Sequence, residues 1–533
     1  MSPARPIALC YRCEDRDAGD IYYRIVPSGL LAIHGLLRRE GFDSRLFNFS
    51  GRSWADVRAA LAGLKPMLVG VSHFTYNHAA SVRLYQTVRR ACPGAVVAGG
   101  GMQPTFLDEL LLARIPELDL AVRGEGEGPA LELARRLAVG SRDFAAVPGL
   151  SLRAGGGVIR TPDAEPWPDL DALHGPERWD ALAGVRAAEQ PGFLVTSRGC
   201  PGRCTFCCTP AFWGRQLRRR SAAAVVDEMD MLRRRFGVTY FGIRDDSFTA
   251  DRAHVLEFCR RLRERGLGVL WNCQSRINLM DDELAVAMRQ AGCDQIQFGV
   301  ESASPRILER LDKAVRPEHI PRTLRACRTA GVRTSAYFIT GVPGQTAADL
   351  ELDQALFREH GLQDGIVSPL CYYPGTALFA EAEAAGAASP EIFLQGKPEA
   401  LQVRRDAAAV RDYRELVAFI EMARPRNAFT ETELRNHLGR TGECLSALLE
   451  WGRFAEGHGR RRQALMAYQD IVRRWPGSAW GYRAVADMLN GLGRKWDFRD
   501  WEAAATLAAR GERVQPPPSP RVWDHGLGNH RRK

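Results

Sequence analysis

The sequence predicts an α/β protein in three parts: a Rossmann-like (flavodoxin-like) domain, a partial (β/α)6 barrel and an all-α C-terminal region. Short apolar segments alternate with helix-like segments over residues 1–140 and again over 186–395, whereas residues 396–514 show helical patterns only. Strands that alternate with helices form parallel sheets with helices on both faces. Ligands of such sheets bind beyond the carboxyl ends of the strands.

The strands of the first domain are short and apolar. We predict them at residues 7–10, 46–48, 67–72, 95–98 and 120–123. The loops after the last three strands, 72–77, 99–105 and 123–127, are therefore the places where a ligand is expected. Residues 141–185 are rich in Gly, Pro and Asp, which predicts a linker that carries a hairpin.

The barrel prediction depends on the number of strand and helix repeats. Strands are predicted at residues 193–197, 239–244, 268–273, 295–300, 334–340 and 365–370. Six repeats are too few for a closed eight-stranded barrel, so an open one is expected. The C-terminal helices are expected to cap the barrel and help to shape its pocket, although residues 445–476 also resemble one tetratricopeptide-type hairpin. The Pro-rich, basic tail 515–533 is predicted to be disordered.

Composition limits the classes of function. Hydrophobic residues make up 45% and charged residues 26% of the chain, as in globular proteins. No uncharged run reaches about 18 residues and the N-terminal apolar stretch is short, so a cytoplasmic protein without a membrane partner is expected. The net charge of +10 is spread along the chain, which argues against a nucleic-acid partner. Thirteen cysteines, an odd number, favour reduced thiols and metal ligation over disulfides.

Three of these cysteines, Cys200, Cys204 and Cys207, lie within eight residues directly after the first barrel strand. Their Gly- and Pro-rich surroundings predict a loop that wraps around one metal centre. Zinc would require a fourth ligand at finger spacing, and none follows. Adjacent residues rarely bind the same metal, so Cys208 is expected to be a packed or free thiol. A cubane cluster held by three cysteines keeps one iron open for catalysis.

This spacing, with an aromatic residue before the third cysteine, resembles the signature of the radical S-adenosylmethionine (SAM) superfamily, and the resemblance extends over roughly residues 190–380. It implies a [4Fe–4S] cluster on the three cysteines, SAM on the open iron and an external one-electron reductant of the flavodoxin or ferredoxin type. The SAM contacts that it implies are Asp245, Asp246, Arg276, Glu301, Ser302, Gly341 and Gly344. Phe206 is either a core residue or a lid near the adenine, and Tyr372 and Tyr373 are candidate catalytic residues in contact with the substrate.

Residues 1–140 resemble the cobalamin-binding domain that precedes the barrel in one branch of this superfamily. The resemblance rests on a Pro-x-Gly helix start at residues 27–29, on hydroxyl residues after the third strand, on a Gly-rich turn and on the Arg-Gly-Glu-Gly-Glu segment 123–127. The cofactor contacts that it implies are Ser72, His73, Thr75, Gly99, Gly100, Gly101, Gly124 and Glu125. The Asp-x-His-x-x-Gly sequence that supplies a lower axial histidine is missing. His73 is a candidate for that position, whereas His34 is expected to be buried within a helix.

Together the two resemblances imply a cobalamin-dependent radical SAM enzyme that methylates an unactivated carbon of a small-molecule or natural-product substrate. An oxidative cyclase or ring-rearranging enzyme with the same cofactors is the first alternative. A non-catalytic cobalamin or redox sensor is the second. The basic tract 215–220 is either a solvated strand end or a site for anionic groups of a cofactor or substrate.

Overall fold

The computed structural model describes residues 5–14, 25–180, 192–425, 427–518 and 520. Every predicted site residue lies within these ranges, whereas most of the tail predicted to be disordered lies outside them. No helix in the described part of the chain is long and apolar enough to span a bilayer.

The N-terminal domain is a seven-stranded sheet covered by helices. Its strands are β1 (Ile7–Tyr11), β2 (Ser44–Asn48), β3 (Leu68–Ser72), β4 (Val96–Gly100), β5 (Leu120–Val122), β6 (Leu150–Ala154) and β7 (Gly157–Arg160). Their order is β2-β1-β3-β4-β5-β6-β7, and the first five are parallel. This is the flavodoxin-like order that the sequence predicts. The helices are Ser28–Arg39, Trp54–Leu64, His78–Ala91, Met102–Phe106, Asp108–Arg114 and Glu127–Ala138.

The hairpin of strands β6 and β7 belongs to this sheet, although the sequence places it in a linker. Strand β6 pairs antiparallel with β5, so that Leu152 lies opposite Leu120. The first sheet therefore extends beyond residue 140. The chain then passes through two short 3-10 turns, Asp171–His174 and Pro176–Trp179.

Six parallel strands form the open barrel. They are β8 (Phe193–Leu194), β11 (Tyr240–Ile243), β12 (Leu270–Arg276), β13 (Cys293–Glu301), β14 (Arg333–Thr340) and β15 (Asp364–Pro369), in that spatial order. A short antiparallel ribbon, β9 (Ser197–Arg198) with β10 (Arg218–Arg219), flanks the loop of the three cysteines. The α-helices are Thr209–Trp213, Ala222–Phe236, Arg252–Arg265, Asp282–Gln290, Pro305–Arg310, His319–Ala330, Ala347–Glu359 and Ala377–Ala384.

The remaining helices are Ala407–Ala423, Glu431–Thr441, Leu445–Gly457, Arg461–Arg474, Ala479–Gly491 and Lys495–Ala509. The last of these helices cap the barrel at the amino ends of its strands. Trp480 donates to the carbonyl of Thr239, just before β11, and Ser478 donates to that of Gly268, just before β12. Because ligands of parallel sheets bind at the opposite end, these helices lie away from the candidate site. The expectation that the whole C-terminal region shapes the pocket is therefore wrong for this part.

Candidate active site between the two sheets

The loop of Cys200, Cys204 and Cys207 is held in place through its backbone. The amide of Thr205 donates to the carbonyl of Leu311 at 3.0 Å, and the carbonyl of Thr205 accepts from the amide of Leu378 at 2.9 Å. At Gly199 φ is +96°, and a Cβ there would lie 2.3 Å from the carbonyl oxygen of Gln216. Only glycine permits this approach, which turns the chain from β9 into the loop.

The guanidinium of Arg276 lies next to this loop. Nη1 of Arg276 lies 3.4 Å from Sγ of Cys204. A Cβ at Gly202 would lie 2.7 Å from the same Nη1 and 3.4 Å from Sγ of Cys200, so a small residue is needed at this point. All the cysteines are free thiols, and in the described part of the chain no three His, Cys, Asp or Glu side chains are gathered as metal ligands. Three thiols on one short loop, one of them next to a guanidinium, are the donor types that hold an iron–sulfur cluster.

Cys208 directly follows the third cysteine of the loop. Burial raises the pKa of its thiol to about 12, and it also raises the pKa of Cys207. The side chain of Cys208 lines the cavity between the two sheets that is described below. That Cys208 is not a ligand stays a prediction.

The two acidic residues after β11 have different surroundings. Asp245 is buried and accepts from the amide of Thr196 at 2.6 Å and from the hydroxyl of Ser197 at 2.8 Å. These bonds use both carboxylate oxygens, so Asp245 fixes the segment that leads into the cysteine loop rather than facing a cofactor. Asp246 is exposed, and it accepts from Thr209 at 2.9 Å. Of the two, only Asp246 remains available to a ligand.

A buried ion pair follows strand β13. Nζ of Lys313 lies 2.6 Å from Oε1 of Glu301, and both side chains are less than a tenth exposed. Glu301 has φ of +68°, and the turn after the next helix, Pro305–Arg310, contains Lys313 and two further non-glycine residues with positive φ, Asp312 and Ala314. Such backbone strain persists only where the surroundings enforce it and is typical of functional sites. The carbonyl of Lys313 also accepts from Arg276, which joins this turn to the cysteine loop.

Lys313 is a site residue that the sequence prediction missed. The chain has few lysines, and the other described ones, Lys65, Lys397 and Lys495, are exposed. The available signal was a single lysine twelve residues after Glu301, in the charged segment 309–316. That signal is weak without knowledge of the turn.

Three further predicted cofactor contacts have structural roles near this pair: Ser302, Gly341 and Gly344. Ser302 is buried and donates to Oδ1 of Asp353 at 2.9 Å, so its hydroxyl does not face the site. Gly341 and Gly344 have φ of +75° and +81°. The amide of Gly341 donates to Oε1 of Gln345 at 2.7 Å, which shapes a tight turn after β14. We interpret the two glycines as conformational requirements of that turn.

The N-terminal domain contains an apolar cavity of about 270 Å³ at the carboxyl ends of its strands. Ser72, Gly100, Gly101, Gly124 and Glu125 line it, together with Phe74, Met102 and, from the barrel side, Phe212 and Trp213. Small residues make room for it. This cavity fits a slender, partly apolar group such as the nucleotide tail of cobalamin. Gly99 lies beside the cavity and not in its lining, because a Cβ there would lie 2.5 Å from the hydroxyl of Tyr85.

His73 cannot face a cofactor. It is completely buried, with Nδ1 3.2 Å from the hydroxyl of Tyr85 and Nε2 3.0 Å from Nδ1 of His78. Burial lowers the pKa of His73 well below its usual value. The suggestion that His73 is a lower axial ligand is therefore wrong, because both ring nitrogens have partners in the core. His34 is buried, as expected, between Ser44 and the carbonyl of Asp180.

A second cavity, of about 360 Å³, lies between the two sheets. Thr75 and its aromatic neighbours Phe74 and Tyr76 line it from the N-terminal domain, and Cys208, Cys371 and Tyr373 line it from the barrel. Residues 396–398 and Leu401 close one side, so this short part of the C-terminal region does shape the pocket. Phe74 and Met102 line both cavities, which places the two cavities side by side.

The aromatic candidates divide between this cavity and the core. Tyr373 is 45% exposed and faces the cavity. Tyr372 packs against Phe379, with ring centroids 6.0 Å apart, and so belongs to the apolar core. Phe206 packs against an apolar cluster that includes Ile307 and Leu378, which favours the core alternative for this residue.

The basic tract is bound by protein carboxylates. Arg218 pairs with Glu125, Arg219 with Asp251 at 2.8 Å and Arg220 with Glu228 at 2.5 Å. An anionic ligand would have to compete with these pairs. The tract is therefore structural rather than a site for an anionic cofactor or substrate.

Two domains of the chain match known families. Residues 194–356 match the Radical SAM superfamily, and residues 17–134 match the B12 binding domain. An uncharacterized methyltransferase of Pyrococcus horikoshii is 28% identical over 66% of this chain and 77% of its own length. The anaerobic magnesium-protoporphyrin IX monomethyl ester cyclase of Rubrivivax gelatinosus is 30% identical over 62% of each chain.

The fold also resembles a solved structure. The radical SAM methyltransferase TsrM from Kitasatospora setae, with cobalamin and a [4Fe–4S] cluster bound, superposes with a TM-score of 0.62 at 22% identity, over 77% of this chain and 81% of TsrM. The predicted fold class is thereby confirmed. The two domain matches confirm the predicted family and, with it, the cofactors [4Fe–4S], SAM and cobalamin. The chain belongs to the cobalamin-dependent radical SAM family.

Proposed function

We propose that this enzyme transfers a methyl group to an unactivated carbon of a small-molecule substrate. Cys200, Cys204 and Cys207 would hold the [4Fe–4S] cluster, and the cavity of the N-terminal domain would hold the cobalamin tail. The observation that carries the proposal is the 360 Å³ cavity, which is lined both by Thr75, after strand β3, and by Cys208, beside the cysteine loop. Loops of both cofactor domains therefore border one space that a substrate can enter.

The cofactors, when bound, supply the reductive cleavage of SAM and the transfer of a methyl group to carbon. The residues of this chain bind and orient them. Arg276 lies against Cys204, and the Glu301–Lys313 pair presents a carboxylate and an ammonium at the carboxyl ends of the strands. The apolar lining around Phe74 and Tyr76 excludes water from the reacting groups, which protects radical intermediates from side reactions.

Methyl transfer is favoured over ring formation by the names of relatives. Besides the Pyrococcus protein, the cytidylyl-2-hydroxyethylphosphonate methyltransferase of Streptomyces wedmorensis is 29% identical over 64% of this chain. The Rubrivivax cyclase supports the alternative of oxidative cyclisation with the same cofactors. We further propose that a flavodoxin- or ferredoxin-type protein supplies the electron.

The decisive experiment is anaerobic reconstitution of the full chain with iron, sulfide, hydroxocobalamin and a chemical reductant. We expect about four iron atoms and one cobalamin per chain, with release of 5′-deoxyadenosine and S-adenosylhomocysteine. With SAM labelled in its methyl group, methyl transfer places the label in the product, whereas cyclisation does not. Zinc in place of iron would contradict the proposal. Cofactor binding without 5′-deoxyadenosine, despite reductant, would instead indicate a sensor.

A further inference from the structure

Four charged side chains join the N-terminal domain to the barrel. Arg198 donates through Nη1 to Glu125 at 2.6 Å and through Nη2 to Glu127 at 2.5 Å. Arg218 donates to both carboxylate oxygens of Glu125. We call these four residues the interdomain ion cluster. Two positive and two negative charges balance, so the cluster carries no net charge.

Three of the four residues of the cluster are buried. Arg198 is 5% exposed, Glu125 9% and Glu127 2%, whereas Arg218 is half-buried. The guanidinium of Arg198 also lies 4.7 Å from the ring centroid of Trp213. Although burial opposes the charge, Glu127 and Glu125 raise the pKa of Arg198. A buried ion that loses its partner is strongly unfavourable, so separating the two domains at this cluster would be costly.

Its location connects the two cofactor regions. Arg198 lies two residues before Cys200, and the segment just before it is fixed to the barrel by the bonds of Ser197 to Asp245. On the other side, Glu125 and Glu127 line the cavity of the N-terminal domain together with Trp213. One guanidinium therefore bridges the start of the cysteine loop and the wall of the cobalamin cavity.

We infer that Arg198 is a positioning residue, which fixes the distance between the iron–sulfur cluster and the cobalamin through Glu125 and Glu127. The inference rests on the proposed function. A planar guanidinium can donate to two carboxylates in fixed directions, which an ammonium cannot. Since transfer between two cofactors and a substrate requires close alignment, small displacements of one domain are costly for the reaction.

The test uses the full chain, reconstituted anaerobically, in the variants Arg198→Lys and Glu127→Gln. The matched control is Arg219→Lys, because Arg219 follows Arg218 on the same strand but pairs with Asp251 of the barrel domain and not with the N-terminal domain. Pulsed dipolar electron paramagnetic resonance measures the distance between the reduced cluster and cob(II)alamin. We expect one narrow distance in the wild type and the control. In the two variants we expect a broader distribution and turnover lower by about tenfold, with iron and cobalamin content unchanged.

An unchanged distance distribution in both Arg198→Lys and Glu127→Gln would overturn the inference. Equal broadening in Arg219→Lys would overturn it as well, because the effect would then not be specific to the cluster. Arg198→Lys keeps the positive charge at this buried position, and Glu127→Gln keeps the shape of the glutamate side chain. At least one of the two variants is therefore expected to fold. A wild type without iron or cobalamin would instead contradict the proposed function, which separates the two failures.

Discussion

The ammonium of Lys313 lies 2.6 Å from a carboxylate oxygen of Glu301, and neither group is open to bulk solvent. The pair lies where strand β13 ends and where Glu301 has φ of +68°. A Cβ at Gly299 would lie 2.7 Å from Oε1 of Glu301 and 2.8 Å from Nζ of Lys313. The pair therefore packs directly against the backbone of strand β13 at Gly299.

Lys313→Met is expected to weaken SAM binding by about tenfold or more, and to lower the free energy of unfolding by about 3–5 kcal/mol, because Glu301 keeps a buried charge without a partner. Equilibrium dialysis with SAM and chemical denaturation measure the two effects. The control is Lys495→Met, since Lys495 is exposed on the C-terminal helices. Unchanged SAM affinity in Lys313→Met would show that the pair serves the fold alone.

Changing Cys200, Cys204 or Cys207 singly to alanine is expected to abolish cluster assembly, because a cubane on two thiolates is not retained. Cys208→Ala is the matched control, since Cys208 is adjacent to Cys207 in the sequence but is not one of the three predicted ligands. Iron and sulfide analysis after anaerobic reconstitution gives the result. Full iron content in any of the first three variants, or loss of iron in Cys208→Ala, would show that the ligands are assigned wrongly.

Gly100→Val is expected to fill part of the cavity of the N-terminal domain and to weaken cobalamin binding by about tenfold. A Cβ at Gly100 has its nearest neighbour, the Cβ of Val122, at 3.9 Å, so the backbone can accept a side chain there. Gly94→Val is the control, because Gly94 lies in an exposed turn outside the cavity. Absorbance titration with hydroxocobalamin measures the cobalamin affinity of both variants. Equal affinities would place the cofactor tail elsewhere.

Asp353→Asn is expected to raise the melting temperature, and to do so more at pH 8 than at pH 6. Burial raises the pKa of Asp353 to about 7. Because the pKa of this carboxyl is about 3.9 in the unfolded chain and higher in the folded protein, the folded protein loses stability as the pH rises from the first pKa through the second. Asparagine does not titrate, so the variant avoids this loss. Differential scanning calorimetry at both pH values measures the difference.

Asp349, one turn earlier on the same helix, provides the opposite case. Despite its burial, bonds from Ser304 and Thr346 lower the pKa of Asp349. The ionised carboxylate of Asp349 therefore contributes its full stabilisation at every pH above the unfolded pKa of about 3.9. Since pH 6 and pH 8 both lie above this pKa, Asp349→Asn is expected to lower the melting temperature equally at the two pH values. A stabilising Asp349→Asn, or a destabilising Asp353→Asn at pH 8, would contradict this account.

Several residues could be placed by sequence reasoning because their role is local. The cysteine loop follows from spacing and from the glycines around it, and the two parallel sheets follow from apolar segments that alternate with helices. Glu125 could not be placed in this way. It was predicted as a cofactor contact from a short motif, but Arg198 and Arg218 reach it from a distant part of the sequence. Likewise, His73 turns inward because Tyr85 and His78 offer partners in the core.

The class of fold and the loop of three cysteines could be predicted from the sequence, because apolar periodicity and short spacings are local properties of a chain. The two cofactor domains were recognised by their resemblance to known families. Which charges meet became visible only in the folded chain. The tertiary structure paired Lys313 with Glu301 and Arg198 with Glu125 and Glu127, and it placed the C-terminal helices at the amino ends of the barrel strands. Partners of buried charges are chosen by the packing of distant segments, and that packing leaves no periodic mark in the sequence.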